Sequence, residues 1–141
     1  MVEQTLMLIK PDGVRARQVG EVIGRVEGAG FSIRGLRMLR LGPDTAGQFY
    51  DIHREKSFFK DLLCFMTSDR IVALVLERED AVLALRRLVG NTDSTIADKG
   101  TIRGDLGTTK QENVVHASDS ADNAAREIAF FFSRKELLSG N

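Results

Sequence analysis

The clearest chemical candidates lie in residues 113–120, which read NVVHASDS. The two valines predict a strand, Ser-Asp-Ser predicts a helix start, and His116 lies between them. An imidazole titrates near neutrality and can form a covalent intermediate, so His116 is a candidate nucleophile. Ser118 and Ser120, with free backbone N–H groups at a helix start, would form a rim beside the ring that attracts anions.

Glu127 is the predicted partner of this ring. It projects from the border of the apolar face of the next helix, where a carboxylate without a partner is costly. A carboxylate bonded to one imidazole nitrogen would fix the tautomer and leave the other nitrogen free to attack. A core or surface role for His116 stays open on the residues alone. His53, the other histidine, lies among charged residues and is interpreted as solvated.

Cationic side chains that could grip phosphate are spread along the chain. Lys10 follows an apolar strand directly and precedes Pro-Asp-Gly, and Arg103 lies in the segment TIRGD, where glycines let the backbone approach closely. A surface pair of Arg103 with Asp105 is the alternative, and Arg86 could equally belong to a solvated helix face. No P-loop occurs, so bound phosphates would be held mainly by side chains.

The elements that must position these residues follow from hydrophobic periodicity. Strands are predicted at 5–9, 31–41, 71–76 and 114–115, the second of them half exposed. Helices are predicted at 19–26, 43–50, 58–66 and 81–89, the last capped by Asp80 and ended by Gly90, and again from 121 onward. Residues 91–112 show no sustained period and are predicted to be irregular. The last helix is predicted to direct a set of apolar residues to the core: Ala121, Ala124, Ala125, Ile128 and Phe132.

This order predicts an α+β sandwich, with helices packed on a small, mostly antiparallel sheet. At 141 residues, 43% hydrophobic and 28% charged, the chain (1–141) is expected to form one globular domain. Acidic and basic residues both number 20, so composition gives no reason to expect nucleic acid or a membrane surface as partner. Cys64 is expected to be buried in an apolar run. With no signal peptide or membrane span predicted, we expect a cytoplasmic protein.

Taken together and in order, several segments resemble the nucleoside diphosphate kinase family. The resemblance runs from about Thr5 to Phe132 and is most specific in GTIRGD followed by NVVHASDS. The matching segments are LIKPDGV at 8–14, GFSIRGLRML at 30–39, FY at 49–50, FF at 58–59, GTIRGD at 100–105, NVVHASDS at 113–120 and AAREIAFFF at 124–132.

This resemblance implies a ferredoxin-like fold, with a four-stranded antiparallel sheet covered by helices. It also implies a ping-pong transfer of the γ-phosphate of ATP to nucleoside diphosphates, with Mg²⁺ carried by the nucleotide. By position, His116 matches the phosphorylated histidine, and Glu127 and Ser118 match residues that support its ring. Phe58 matches the aromatic residue that stacks on the base. The nucleotide-binding positions implied are Lys10, Tyr50, Phe58, Arg86, Thr92, Arg103 and Asn113.

The chain departs from the family pattern mainly in its loops. Ser57, Asp69-Arg70 and Asp93-Ser94 stand where prolines are common, and Ala117 replaces a common glycine. The family implies a homo-oligomer, a hexamer first and a tetramer second, and the missing loop prolines bear on that assembly. A non-catalytic module of the same fold and a histidine phosphocarrier remain alternative functions.

Overall fold

A computed structural model describes residues 2–138, in which four strands form one antiparallel sheet in the order β2-β3-β1-β4. The strands are β1 (Val2–Ile9), β2 (Ser32–Leu39), β3 (Ile71–Glu79) and β4 (Val115–Ala117). The predicted ferredoxin-like α+β fold is confirmed. The central strands β1 and β3 are apolar where helices cover both faces, at 6–9 and 71–76, while edge strand β2 mixes apolar residues with arginines.

The helices cover both faces of this sheet. They are α1 (Pro11–Arg15), α2 (Val19–Gly28), α3 (Pro43–Phe49), α4 (Phe59–Met66), α5 (Ala81–Val89), α6 (Ile102–Leu106), α7 (Ala121–Phe131) and α8 (Arg134–Leu138). Successive β1 side chains point to opposite faces: Met7 and Ile9 pack with α2 and α5, whereas Leu6 and Leu8 pack with α3, α4 and α7. None of the helices in residues 2–138 combines the length and apolar composition needed to cross a bilayer.

The sheet brings the distant candidate residues to one place. Antiparallel pairing sets Leu8 of β1 opposite His116 of β4, and the Lys10 backbone N–H donates to the Val114 carbonyl at 2.8 Å. Lys10 and His116, which are 106 positions apart, therefore occupy neighbouring strand ends. Such a strand end is where ligand sites commonly form in α/β and α+β folds.

Several boundaries differ from the sequence predictions. Residues 11–15 form helix α1, which the periodicity did not predict. Pro11 is tolerated at its first position because it lacks only an N–H that a helix start leaves unpaired. The predicted irregular region contains α6, whose N-cap Thr101 accepts a hydrogen bond from the Gly104 N–H. Asp80 occupies the N-cap position of α5 but makes no side-chain capping bond there.

Some burial predictions were wrong. Cys64 is exposed, because α4 directs its other face to the core and buries Met66. Ala121 and Ala125 are also exposed, and Phe132 is buried but lies just beyond the end of α7. The apolar stripe of α7 is narrower than predicted, since Ala124, Ile128 and Phe131 suffice to cover the sheet.

The loop after α5 is ordered by side-chain hydrogen bonds to its own backbone. Asn91 Oδ1 accepts from the Asp93 N–H at 2.9 Å, and Asp93 Oδ1 accepts from both the N–H and the hydroxyl of Thr95 at 3.0 and 2.6 Å. These are Asx turns, in which a short polar side chain fixes the following two residues. The loop therefore has local restraints although Asp93-Ser94 lacks the proline that is common in the family.

Candidate active site

His116 and Glu127 form the centre of the candidate site. His116 Nε2 lies 2.8 Å from Glu127 Oε1, and the Ser118 hydroxyl donates to the same oxygen at 2.7 Å. Burial alone would raise the pKa of Glu127, but the hydrogen bonds from His116 and Ser118 and the charges of His116 and Arg126 hold that pKa below its usual value. Glu127 is therefore ionised near neutral pH, and Nε2 carries the proton that it donates to the carboxylate.

The other ring nitrogen of His116 is left available. Nδ1 makes no hydrogen bond within residues 2–138, and the side chain is 24% exposed, enough for a ligand to reach. The serine after it is fixed to the sheet, since the Ser118 N–H donates to the Leu6 carbonyl. The ring is thus held from one side and open on the other, which is the geometry of a nucleophile with a defined tautomer.

Two aromatic rings pack against the imidazole of His116. Phe49 and Tyr50 both meet His116 edge to face, with ring centroids at 5.7 and 6.4 Å, and α3 supplies the first of them at its last residue. Tyr50 is buried, and burial together with nearby Glu127 raises the pKa of its hydroxyl, which stays neutral. These rings limit the rotation of the imidazole and exclude water from its rear face.

Lys10 is held beside the strand end by two acceptors. Its Nζ donates to the Gln111 carbonyl at 2.8 Å and to Asn113 Oδ1 at 2.9 Å. Burial lowers the pKa of Lys10 to about 8, and the charge of Arg103 adds to this effect, while Asp12 and Glu112 oppose it. Lys10 is therefore a buried cation whose charge is only partly balanced by the protein.

The side chains of Arg103 and Arg86 donate to the backbone carbonyls of the residues on either side of His116. Arg103 donates to the Val115 carbonyl at 2.8 Å and the Gly90 carbonyl at 3.1 Å, and Arg86 donates to the Ala117 carbonyl at 3.2 Å. Burial lowers the pKa of Arg103 to about 10, with a further contribution from the charge of Arg86. The Nε of Arg103 is buried and has no partner within residues 2–138.

Asn113 connects these groups to the loop. Its Oδ1 accepts from Lys10, and its amide group donates to the Thr92 and Lys110 carbonyls, both at 2.9 Å. Thr92 is exposed and takes part in this network through its backbone, so its hydroxyl stays available to a ligand. Val114, between Asn113 and the final strand, has a φ of 75°, which a β-branched residue adopts only under local constraint.

Phe58 lies at the entrance. It is 45% exposed at the N-cap of α4, and its ring packs against His53 at a centroid distance of 5.5 Å. The interpretation of His53 as a solvated side chain was therefore wrong in part: the residue is half-buried, and its ring also stacks on Tyr50. The neighbouring charges Arg54 and Asp51 pair with each other, which periodicity in a short turn could not indicate.

One further prediction and one alternative about this site need correction. Ser118 does not contribute to the predicted rim of free N–H groups, because its N–H donates to the Leu6 carbonyl and its hydroxyl donates to Glu127. Arg103 does not pair with Asp105, whose carboxylate instead accepts from Arg25 at 2.7 Å. At Gly104 the backbone lies so close to the Asp98 carbonyl oxygen that a Cβ would collide with it, while the predicted close approach of TIRGD to a phosphate stays a prediction.

Sequence reasoning missed Arg126. Its guanidinium Nη2 lies 3.6 Å from Glu127 Oε2 and its Cζ lies 5.8 Å from the centre of the Phe49 ring. It thus neutralises the carboxylate oxygen that His116 does not use. Only its adjacency to Glu127 could have indicated this, since exposed arginines are common on helix surfaces.

Comparison with known proteins gives consistent likenesses. The family model described as nucleoside diphosphate kinase matches residues 3–137. A nucleoside diphosphate kinase from Dehalococcoides mccartyi is 49% identical over 138 residues, which are 98% of this chain and 97% of that protein. Another from Staphylothermus marinus is 50% identical over 136 residues, 96% of each chain.

Solved structures agree with these sequence likenesses. The Aquifex aeolicus nucleoside diphosphate kinase superposes with a TM-score of 0.94 at 45% identity, covering 96% of this chain and 99% of that one. A halophilic nucleoside diphosphate kinase from Halobacterium salinarum, in complex with CDP, gives a TM-score of 0.93 at 38% identity, covering 96% and 91%. The similarity therefore extends over the sheet, its helices and the candidate site together.

Proposed function

Because the chain belongs to the nucleoside diphosphate kinase family, we propose that it transfers the γ-phosphate of ATP to nucleoside diphosphates through a phosphohistidine on His116. A phosphotransferase of this kind maintains the pools of nucleoside triphosphates. The proposal assigns His116 as the nucleophile, Glu127 and Ser118 as its supports, and a set of residues to the nucleotide. That set is Lys10, Tyr50, Phe58, Arg86, Thr92, Arg103 and Asn113.

The observation that carries this assignment is the gathering of three cations around one oriented imidazole. Lys10 and Arg103 are both buried, and burial is the main reason why their pKa values are lowered; the charge of Arg103 lowers the pKa of Lys10 further, and the charge of Arg86 does the same to Arg103. Like charges held together at a cost in free energy are expected where a polyanion binds and offsets that cost. Nδ1, the ring nitrogen of His116 that is not bonded to Glu127, is the atom free to react with a bound polyanion.

The proposed reaction has two mirror-image steps. The Nδ1 lone pair attacks the γ-phosphorus of ATP, the bond from that phosphorus to the β,γ-bridging oxygen breaks, and ADP leaves with the electron pair. Glu127 holds the Nε2 proton and stabilises the positive charge that the ring acquires. A nucleoside diphosphate then attacks the phosphorus through its terminal oxygen and regenerates neutral His116. Positioning and charge stabilisation, rather than proton transfer, supply most of the catalysis.

We propose that Mg²⁺ enters as part of the nucleotide. Within residues 2–138 no group of three or more His, Cys, Asp and Glu side chains could hold a metal ion. The residues proposed to bind the phosphates are cations, which do not coordinate a metal. Mg²⁺ prefers a few carboxylates together with phosphates and water, so nucleotide phosphates are its natural ligands here. Bound there, it would offset phosphate charge that Lys10, Arg86 and Arg103 do not reach.

One coupled experiment tests the function and the metal together. Purified chain is incubated with ATP and dTDP, with and without EDTA, and dTTP formation is followed. We expect exchange at enzyme-like rates that EDTA abolishes and added Mg²⁺ restores. Nucleotide binding without exchange would contradict the proposal and favour a non-catalytic module. Exchange that is indifferent to EDTA would contradict the role of the metal alone.

Lys10 predicts a pH dependence of nucleotide affinity. Its pKa in the folded chain is about 8, against an ordinary value of 10.5, so it loses its proton as the pH rises through 8. If only the cationic form grips phosphate, the Kd for ADP should rise about tenfold between pH 7 and pH 9. Calorimetry of ADP binding across this range measures the change, and Lys10→Arg should flatten it because arginine stays charged.

The stability of the free chain should change in the opposite sense. Between pH 8 and 10.5 the unfolded chain holds a proton at Lys10 that the folded chain has released, so this group makes the free energy of unfolding increase with pH.

For ADP binding, a Kd that is constant from pH 7 to pH 9 would contradict a role for the Lys10 charge.

We also propose a homo-oligomer, a hexamer first and a tetramer second, formed by a single domain spanning 1–141 in the cytoplasm. Strand β2 is an edge of the sheet and exposes Leu36 and Met38, at 57% and 50% of their surface. An edge strand with exposed apolar side chains is a surface that a second copy can cover. Light scattering of the full chain measures the state. The proposal includes no membrane and no specific nucleic-acid partner.

A further inference from the structure

Residues 113–115 form a tight turn directly before the proposed nucleophile. The Val115 N–H donates to the Asn113 carbonyl at 2.9 Å, and Val114 between them has a φ of 75°. A hydrogen bond across one residue, together with a positive φ at that residue, defines a γ-turn of the rare and strained kind. A β-branched residue is poorly suited to this conformation, because its Cβ crowds the backbone there. The turn must therefore be held by its surroundings.

The segment after β1 supplies the contacts that hold this turn. The Lys10 N–H donates to the Val114 carbonyl at 2.8 Å, and Asp12 Oδ2 accepts from the Val114 N–H at 2.9 Å. Gly13 lies against the same residue, where a Cβ would come within 3.1 Å of Val114 Cγ1 and 3.3 Å of its carbonyl oxygen. Both polar backbone groups of Val114 are thus bonded by a segment that is distant in sequence.

Asp12 makes the one side-chain contact to the backbone of this turn residue. Val114 is 1% exposed, so its N–H would be left buried without this acceptor if the carboxylate were removed. That loss would favour a relaxed turn with a negative φ, in which the N–H has a different direction. The carboxylate therefore selects the strained conformation of the turn over its relaxed alternatives.

The turn sets the direction of the groups on both sides of it. Before it, Asn113 Oδ1 accepts from Lys10 Nζ at 2.9 Å. After it comes His116, in a strand of only three residues, Val115–Ala117. A change of φ at Val114 would rotate these two groups relative to each other. Misplacement of a reacting group by about 1 Å can lower a rate about 10²-fold.

We propose that Asp12 is a positioning residue, whose carboxylate holds the γ-turn at Val114 and thereby aligns His116 and Asn113 for phosphoryl transfer. This inference rests on the proposed function, in which His116 accepts the phosphoryl group. Asp12 acts through the backbone of Val114, its hydrogen-bond partner. The turn requires an acceptor atom at this place and not a negative charge, so an amide in place of the carboxylate should serve nearly as well.

The first experiment compares Asp12→Ala with Asp12→Asn in steady-state exchange of ATP with dTDP. Asp12→Ala should lower kcat/KM about 10- to 100-fold. Asp12→Asn, whose amide oxygen can accept from the Val114 N–H, should stay within about threefold of the unaltered chain. Both variants remove the Asp12 charge, which opposes the lowering of the Lys10 pKa by burial. A difference between them therefore reports the hydrogen bond, and equal losses would overturn the inference.

Glu112→Gln is the matched control for charge. The Glu112 charge also opposes the lowering of the Lys10 pKa by burial, and the side chain is exposed. Exchange by Glu112→Gln should stay within about twofold of the unaltered chain. Thermal unfolding establishes that each variant is folded at the assay temperature. If Asp12→Ala does not fold, a loss of tenfold or more in Asp12→Asn would overturn the inference.

Substitutions at Val114 test whether Asp12 acts through the strained turn. Glycine adopts a positive φ about as readily as a negative one, whereas alanine keeps the Cβ that causes the strain. In a Val114→Gly chain, Asp12→Ala should therefore cost less than about threefold in kcat/KM, but at least about tenfold in a Val114→Ala chain. An equal cost in both chains would overturn the inference. If Val114→Gly does not fold, the comparison of the two Asp12 variants decides.

Amide hydrogen exchange at Val114 keeps this inference separate from the proposed function. Asp12→Ala should speed exchange of the Val114 amide at least about tenfold, and Asp12→Asn should speed it less. An unaltered chain that transfers no phosphate contradicts the proposed function, and the amide measurement still tests whether Asp12 holds the turn. Full phosphate transfer by a folded Asp12→Ala chain contradicts the positioning role alone.

Discussion

Replacing His116 with alanine should reduce phosphate exchange by at least about 10⁴-fold, since it removes the atom to which the phosphoryl group is transferred. Incubating the unaltered chain with γ-labelled ATP should give a phosphoprotein that is acid-labile and base-stable, and His116→Ala should carry no such label. The surrounding site should persist, because Glu127 keeps its bond to Ser118 and its ion pair with Arg126. ADP should therefore still bind to the variant.

The control is the other histidine. His53→Phe should label normally at saturating ATP, because His53 does not contact the reacting atoms. Labelling of His116→Ala at the level of the unaltered chain would show that the phosphoryl group resides elsewhere. Loss of both label and ADP binding would instead indicate a folding defect, which thermal unfolding of the variant distinguishes.

Replacing Arg103 with alanine should lower kcat/KM about 10²- to 10³-fold. Its guanidinium is buried in the segment beside His116, and it has more N–H donors than the two carbonyls that it bonds, so a bound phosphate could accept from it. In the transition state negative charge spreads over the transferred phosphoryl group. A fixed planar donor stabilises this transition state more than it stabilises bound ATP in the ground state. Steady-state exchange with ATP and a diphosphate acceptor measures the loss.

Two variants keep this prediction separate from stability. Arg103 also donates to the Gly90 and Val115 carbonyls, so the alanine variant should unfold at a lower temperature. Arg103→Lys retains the positive charge but lacks the planar guanidinium with its paired N–H donors, and it should recover part of the activity. Arg87→Ala removes an exposed arginine from α5 and should keep exchange within about twofold. A folded Arg103→Ala chain with nearly full activity would contradict the role of the guanidinium.

The sequence predicted the elements with strong periodicity and the residues with few alternative uses. The apolar runs at 5–9 and 71–76 indicated buried strands, and a carboxylate on the apolar border of α7 indicated a partner for His116. Both inferences hold because burial leaves little choice: an apolar run must be covered, and a buried carboxylate must be paired.

What sequence could not predict depends on contacts between distant segments. Cys64 lies in an apolar run yet is exposed, because α4 needs only part of its surface to cover the sheet. His53 lies among charges yet is half-buried between two rings, which arises from the path of a short turn. Helix α6 has only five residues, too few for a period, and the cap at Thr101 was its main signal.

In the loop at Asp93, side-chain hydrogen bonds take the place of a proline, and they differ from a proline in being sensitive to pH. Proline acts by restricting the unfolded chain, and no ionisable group is involved. Here the restraint is a carboxylate whose pKa the Thr95 hydroxyl and N–H hold below the usual 3.8. Its contribution is present above that value and is lost as the pH falls through the lower, folded pKa. Acidification should therefore weaken this restraint, to which a proline would not be sensitive, while the bond from the Asp93 N–H to Asn91 remains.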